Sequence, residues 1–239
     1  MFTRIIFTLL LLLSITPLVL AHDTWIEKRN GELLVLHGHD GTAEPYDAGR
    51  VKEPKALDAG GQAVGMEIVK NKENASLATK GNPAVIGVFY DSGYWLKTTD
   101  GWKQATKREG TGKYTIVESI KSEQYCKSLL AASAECLKPV GQRFEIVPQK
   151  DPATLRSGDK IHIKVLLDGK PVEGAVVATG AGHASDKKDP LKTDKEGMAA
   201  VTLDQSGLQM VKASHRVPLK GDSDADVLSV ASTITFISH

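Results

Sequence analysis

Between Trp25 and about Thr115 the chain alternates short apolar runs, ELLVLH, AVGMEIVK, AVIGVFY and YWLKT, with breaks rich in Gly, Asn and Asp. Apolar runs divided by turn formers predict strands. ESIKSEQYCKSLLAASAECL breaks that rhythm. Glu118 to Lys138 holds no Gly or Pro, and Ile120, Tyr125, Leu129, Leu130 and Leu137 fall loosely on a helical stripe. This predicts one short helix near 118–134. FEIVP then reads as a strand closed by Pro148, and DPATLRSGD as a joint. IHIKVLL, AVVATG, MAAVTL, LQMVKAS and VASTITFI follow at intervals of about ten to fifteen residues, with DGKP and TDKEG supplying turns. The pattern predicts a mainly β protein of two antiparallel β-sandwich domains, with the short helix before the joint. Residues 22–150 form the N-terminal β-rich domain and 151–239 a C-terminal sandwich of immunoglobulin-like or transthyretin-like type.

Residues 1–21 are of another kind. Arg4 supplies a positive start, IIFTLLLLLSI an apolar run, and TPLVLA a small-residue cut site. This is the layout of a cleaved signal peptide, and the apolar run is too short for a spanning helix. The expectation is a periplasmic protein, exported by its leader, starting at His22 and without stable membrane insertion after cleavage. About 218 residues then remain of 239, enough to bury a sizeable core.

Charge narrows the partners. Of 30 basic and 29 acidic side chains only Arg4 lies in the leader, so the remainder balances. Nucleic acid and anionic membrane both call for a basic excess, and neither is expected as a partner. The two cysteines, Cys126 and Cys136, stand close together in YCKSLLAASAEC. In an exported chain such a pair predicts a disulfide, worth roughly 2–3 kcal/mol for a loop of about ten residues. Ten helical residues span about 15 Å, so the bond requires the helix to end or bend before Cys136.

Candidate chemistry centres on histidine. An amino-terminal His22 holds an ion with its free amine and ring Nδ1 together, and the amine loses its proton readily near neutral pH. Thr24 in third position excludes the other well-known terminal copper or nickel site. His37 and His39, in VLHGHD, are two apart, so on a strand both point to one face, and Gly38 allows close backbone approach. His215, in QMVKASHRVP, ends a strand and shares a face with Val211 and Ala213; it is a further candidate ligand or a rim histidine. A nitrogen-rich set of this kind suits nickel, cobalt, copper or zinc. Asp40 is a candidate hydrogen-bond partner for a ligating ring, with Asp23, Glu27 and Glu44 nearby. His162, His183 and His239 read as solvent-facing, loop and terminal residues. The chain carries no GxSxG elbow, phosphate loop, HExxH helix or dinucleotide fingerprint, and no enzymatic activity is expected.

AHDTWIE after the leader, the GH of Gly38-His39, and GQRFEIVPQKDPATLRSGDKIHIKVLLDGKPVEGAVV together resemble one exported family. It is the periplasmic family associated with nickel and cobalt uptake, long catalogued as a domain of unknown function. The resemblance spans essentially the whole chain after the leader. It implies β-sandwich domains, His22 as the amino-terminal ligand, His39 as the histidine of the GH, and His215 as the histidine after the penultimate strand region. His37 enters from the HxH spacing alone, and the cysteine pair looks like a local variant.

The leading expectation is a binding protein that captures nickel or cobalt and delivers the ion to a membrane metal transporter component. A copper-dependent oxidative enzyme with a histidine brace is the alternative. It shares His22 but wants exposed aromatics for a polymer, and the chain has three Trp and five Tyr. A third reading is an exported interaction module whose histidines are incidental.

Overall fold

The computed structural model describes residues 22–39, 41–180, 191–203 and 206–239. The leader, Asp40 and His183 lie outside the described residues. The protein is mainly β, as expected. In chain order the first strands are β1 (Asp23–Arg29), β2 (Glu32–His39), β3 (Thr42–Ala43), β4 (Val51–Leu57), β5 (Met66–Lys70) and β6 (Ala75–Thr79). Next come β7 (Val85–Thr98), β8 (Gly101–Gln104), β9 (Ile116–Leu129), β10 (Phe144–Pro148), β11 (Lys160–Leu167) and β12 (Lys170–Pro171). The last are β13 (Val176–Gly180), β14 (Leu191–Lys192), β15 (Met198–Thr202), β16 (Gly207–Pro218) and β17 (Val227–Ser238). The one α-helix among the described residues is a single turn, Lys107–Gly110. It is closed by a capping box in which Thr106 and Glu109 exchange hydrogen bonds. Among the described residues no helix is long and apolar enough to cross a membrane.

Among the described residues three sheets result. One has the order β1-β2-β6-β5 with β3 added to β2. The largest runs β14-β13-β16-β17-β9-β7-β4, with β8 on β7, and the smallest runs β10-β11-β12 with β15 on β11. All pairings are antiparallel except β17 with β9, where Val227 to Thr235 lie parallel to Ile120 to Ser128. This pairing crosses the expected joint near Asp151. The large sheet takes strands from both sides of that joint, and one core unites Val85, Tyr125 and Leu129 with Ile161, Val177 and Val230. The two halves therefore share a sheet and a core.

The helix expected near 118–134 is absent: Ile116–Leu129 form the fourteen-residue strand β9, and only Ala134–Leu137 make a 3-10 turn. The reason is burial on both faces, which removes the polar–apolar alternation that announces a strand. Tyr125 and Leu129 enter the large core, while Cys126 faces a second core with Ile26, Val35 and Val88. Two charged residues of β9 are buried as well. Lys127 meets Glu145 at 2.7 Å, and Glu145 also accepts the backbone N–H groups of Val140, Gly141 and Gln142. Burial pushes the Lys127 pKa down.

The expected disulfide is also overturned. Cys126 and Cys136 are both free and buried. Strand alternation sends Cys126 into the second core, whereas Cys136 belongs to the large one, on the other side of the sheet. The Cys136 thiol donates instead to Ala131 O at 3.2 Å, and burial pushes both thiol pKa values up.

One arrangement positions the functional region. β1 is the edge of its sheet, and an edge strand leaves carbonyls unpaired. β1 lies across the face of the large sheet, where Thr233 Oγ1 donates to Thr24 O at 2.6 Å and Thr235 Oγ1 to Ile26 O at 2.7 Å. Each such bond is worth about 1 kcal/mol net. Trp25, Leu36 and Met210 fill the space between.

Candidate metal centre

The site is built on the β1–β2 hairpin. Its turn is Asn30-Gly31, with φ of 50° and 87°, the left-handed pair a two-residue hairpin loop requires. That turn sets the register, pairing Arg29 with Glu32, Thr24 with His37 and Asp23 with Gly38. His22 thus falls beside His39 at the open end. Their ring centroids are 3.8 Å apart, and His22 stacks on His37 at 4.8 Å with the planes 7° apart. His37 is held from its other side by Tyr90, stacked at 4.7 Å. The two-residue spacing therefore does put His37 and His39 on one face, turned toward His22.

Glu44 arrives by a chain reversal. β3 pairs with the end of β2 through Gly38 with Ala43 and His39 with Thr42, and Glu44 N donates to His37 O at 2.7 Å. Gly38 is essential to this approach: a Cβ there would sit 2.0 Å from Thr42 O. The reversal brings Glu44 Oε2 within 3.1 Å of His22 Nε2. One ligating atom from each of His22, His39 and Glu44 lies within 4.8 Å of the other two. Atoms on opposite sides of a common ion with nitrogen bonds of 2.0–2.1 Å would be about 4 Å apart, so a small adjustment of exposed side chains suffices.

Electrostatics separate the rings. Burial, reinforced by the neighbouring His22, pushes the His37 pKa from 6.5 down to about 4, so this ring is neutral at physiological pH. The hydrogen bond from His22 holds the Glu44 carboxyl below its usual range. Burial pushes the Tyr90 hydroxyl up to about 12.

Beneath the hairpin lies a polar layer. Thr24 Oγ1 is 2.9 Å from His37 Nδ1 and donates to Gln124 Oε1 at 2.8 Å, and Gln124 Nε2 donates to Ser92 Oγ at 3.1 Å. Asp23 pairs with Lys212 at 2.5 Å, both nearly buried.

His215 is elsewhere. It pairs with Val230, whose side chain packs in the large core. The hairpin meets the opposite face of β16, through Lys212 and Met210. Alternation along an unbroken strand therefore puts His215 on the far side of the sheet from His22. Burial lowers its pKa. His162 and His239 are exposed. In the sequence Glu44 stands near the histidines without a partner, and nothing there marks Tyr90, Gln124 or Ser92. Only Glu44 has a signal, the turn-forming Asp-Gly dipeptide that follows the GH in the sequence.

A search of curated proteins finds no match. Among solved structures, the D0-D1 domain of intimin is similar over 90% of this chain and 97% of that one, at 14% identity and a TM-score of 0.24. The family profile described as Domain of unknown function (DUF4198) matches residues 19–217, and the chain belongs to that family.

Proposed function

We propose that this protein, once its leader is removed ahead of His22, is a periplasmic carrier that captures nickel or cobalt and passes the ion to a membrane uptake component. The observation that carries the reading is the convergence of His22, His39 and Glu44 at the open end of one hairpin. The bond from His22 Nε2 to Glu44 sharpens it. A carboxylate only accepts, so Nε2 carries the proton and Nδ1 keeps its lone pair. Nδ1 is the nitrogen that chelates together with a terminal amine. His39 then supplies a second imidazole, and Glu44 orients His22 or adds an oxygen. Nitrogen with oxygen suits nickel, cobalt or zinc, with copper favoured on affinity alone, so supply and geometry select the ion. Capture and release need ligation and no bond chemistry, consistent with a carrier that is not an enzyme.

The test is calorimetric titration of nickel and cobalt into chain beginning at His22, beside chain carrying one extra residue ahead of it. The reading expects one ion per chain, much weaker binding when the amine is displaced, and weaker binding below about pH 6.5, where imidazoles protonate. Failure of the His22-initiated chain to bind either ion would overturn it.

A further inference from the structure

Beneath the hairpin, Ser92, Gln124, Thr24 and His37 form a directed chain of hydrogen bonds. A threonine hydroxyl has one proton. Thr24 gives its proton to Gln124 Oε1, so toward His37 it can only accept. His37 must therefore carry its proton on Nδ1, and the lone pair falls on Nε2. The chain is well anchored. Thr24 and Ser92 are buried, Gln124 is 9% exposed, and Arg50 holds the Ser92 carbonyl at 2.8 Å. Gln124 sits opposite Tyr90 across β7 and β9, so one patch of the large sheet both stacks on His37 and directs its proton.

Among the described residues Nε2 of His37 has no hydrogen-bond partner, although the ring is fixed between Tyr90 and His22. It stands outside the group formed by His22, His39 and Glu44, and reaching a common ion requires the half-exposed His22 ring to turn aside. We propose that Gln124 and Thr24 are positioning residues that lock His37 in the Nδ1–H form, so that its Nε2 serves as an additional ligand to the captured ion. This rests on the metal-carrier reading above. It assigns a role to a polar chain that a purely structural hairpin would not need to direct.

The test reads the proton and the metal separately. Long-range proton–nitrogen correlation spectra of ¹⁵N-histidine-labelled, metal-free protein should show His37 protonated on Nδ1. In Gln124→Leu the Thr24 hydroxyl is free to donate to Nδ1, and the proton should move to Nε2. Nickel affinity should then fall by about 10- to 100-fold, the usual effect of removing a partner of a ligand. Thr24→Ser keeps the hydroxyl and should keep both the proton position and the affinity. His37 protonated on Nε2 in the unaltered protein would overturn the proposal without recourse to variants, as would a proton that does not move in a folded Gln124→Leu. A proton that moves without loss of affinity would remove His37 as a ligand. Absence of nickel and cobalt binding by the unaltered chain is a different result: it overturns the carrier reading, and the ligand role with it.

Discussion

The neutral state of His37 has a measurable consequence for stability. In the folded chain burial and the adjacent His22 bring its pKa from 6.5 to about 4. As pH falls below 6.5 the unfolded chain takes up a proton that the folded chain refuses until about 4. The unfolded state binds more protons across that window, so stability drops as pH falls through it, is unaffected above it, and levels off below it. At 1.36 kcal/mol per pKa unit the loss is about 3 kcal/mol, with a slope approaching 1.36 kcal/mol per pH unit mid-window. His37→Gln removes the titration while leaving an amide N–H to meet Thr24. Urea unfolding of both metal-free proteins between about pH 7.5 and 4.5 isolates the effect, since groups titrating equally in both cancel in the difference. The stability of the unaltered protein relative to His37→Gln should decline by about 2.5 kcal/mol over that range, the remainder of the loss falling below it. A difference that stays constant with pH, or a ring that titrates near 6.5 by NMR, would refute the reasoning.

Two further substitutions probe the framework. Gly38→Ala places a Cβ 2.0 Å from Thr42 O; it should cost about 1–3 kcal/mol in thermal or urea unfolding and, by prising β3 from β2, weaken metal binding through loss of the Glu44 bond. Lys127→Met strands the Glu145 carboxylate in a fully buried site, for an expected loss of about 3–5 kcal/mol; unfolding within about 0.5 kcal/mol of the parent would show that the three backbone N–H groups hold Glu145 without it.

The legibility of the chain follows from what each signal depends on. β2, β5, β10, β11, β13, β15, β16 and β17 announce themselves by short-range apolar patterning, β7 as the two runs AVIGVFY and YWLKT that the structure joins into one strand, and a mainly β protein follows from them. β9 does not, because its pattern reflects packing from both sides: Lys127 is interior only because Glu145, from a later strand, lies against it. Cys126 and Cys136 are ten positions apart, yet which face each one looks at depends on which cores flank β9.

The site divides along the same line. The sequence by itself determined that His37 and His39 share a face, because strand periodicity is local. The Asn30-Gly31 turn likewise brings His22 back beside them. Tertiary structure alone decided the rest. The pairing of β7 with β9 sets Tyr90 opposite Gln124, and the parallel pairing of β9 with β17, strands about a hundred residues apart, extends the surface on which Gln124 meets Thr24 and Tyr90 meets His37. The choice of face on β16 excludes His215. Side-chain direction along a strand is set by the backbone, but what that direction points at is set by whichever distant strand folds against it.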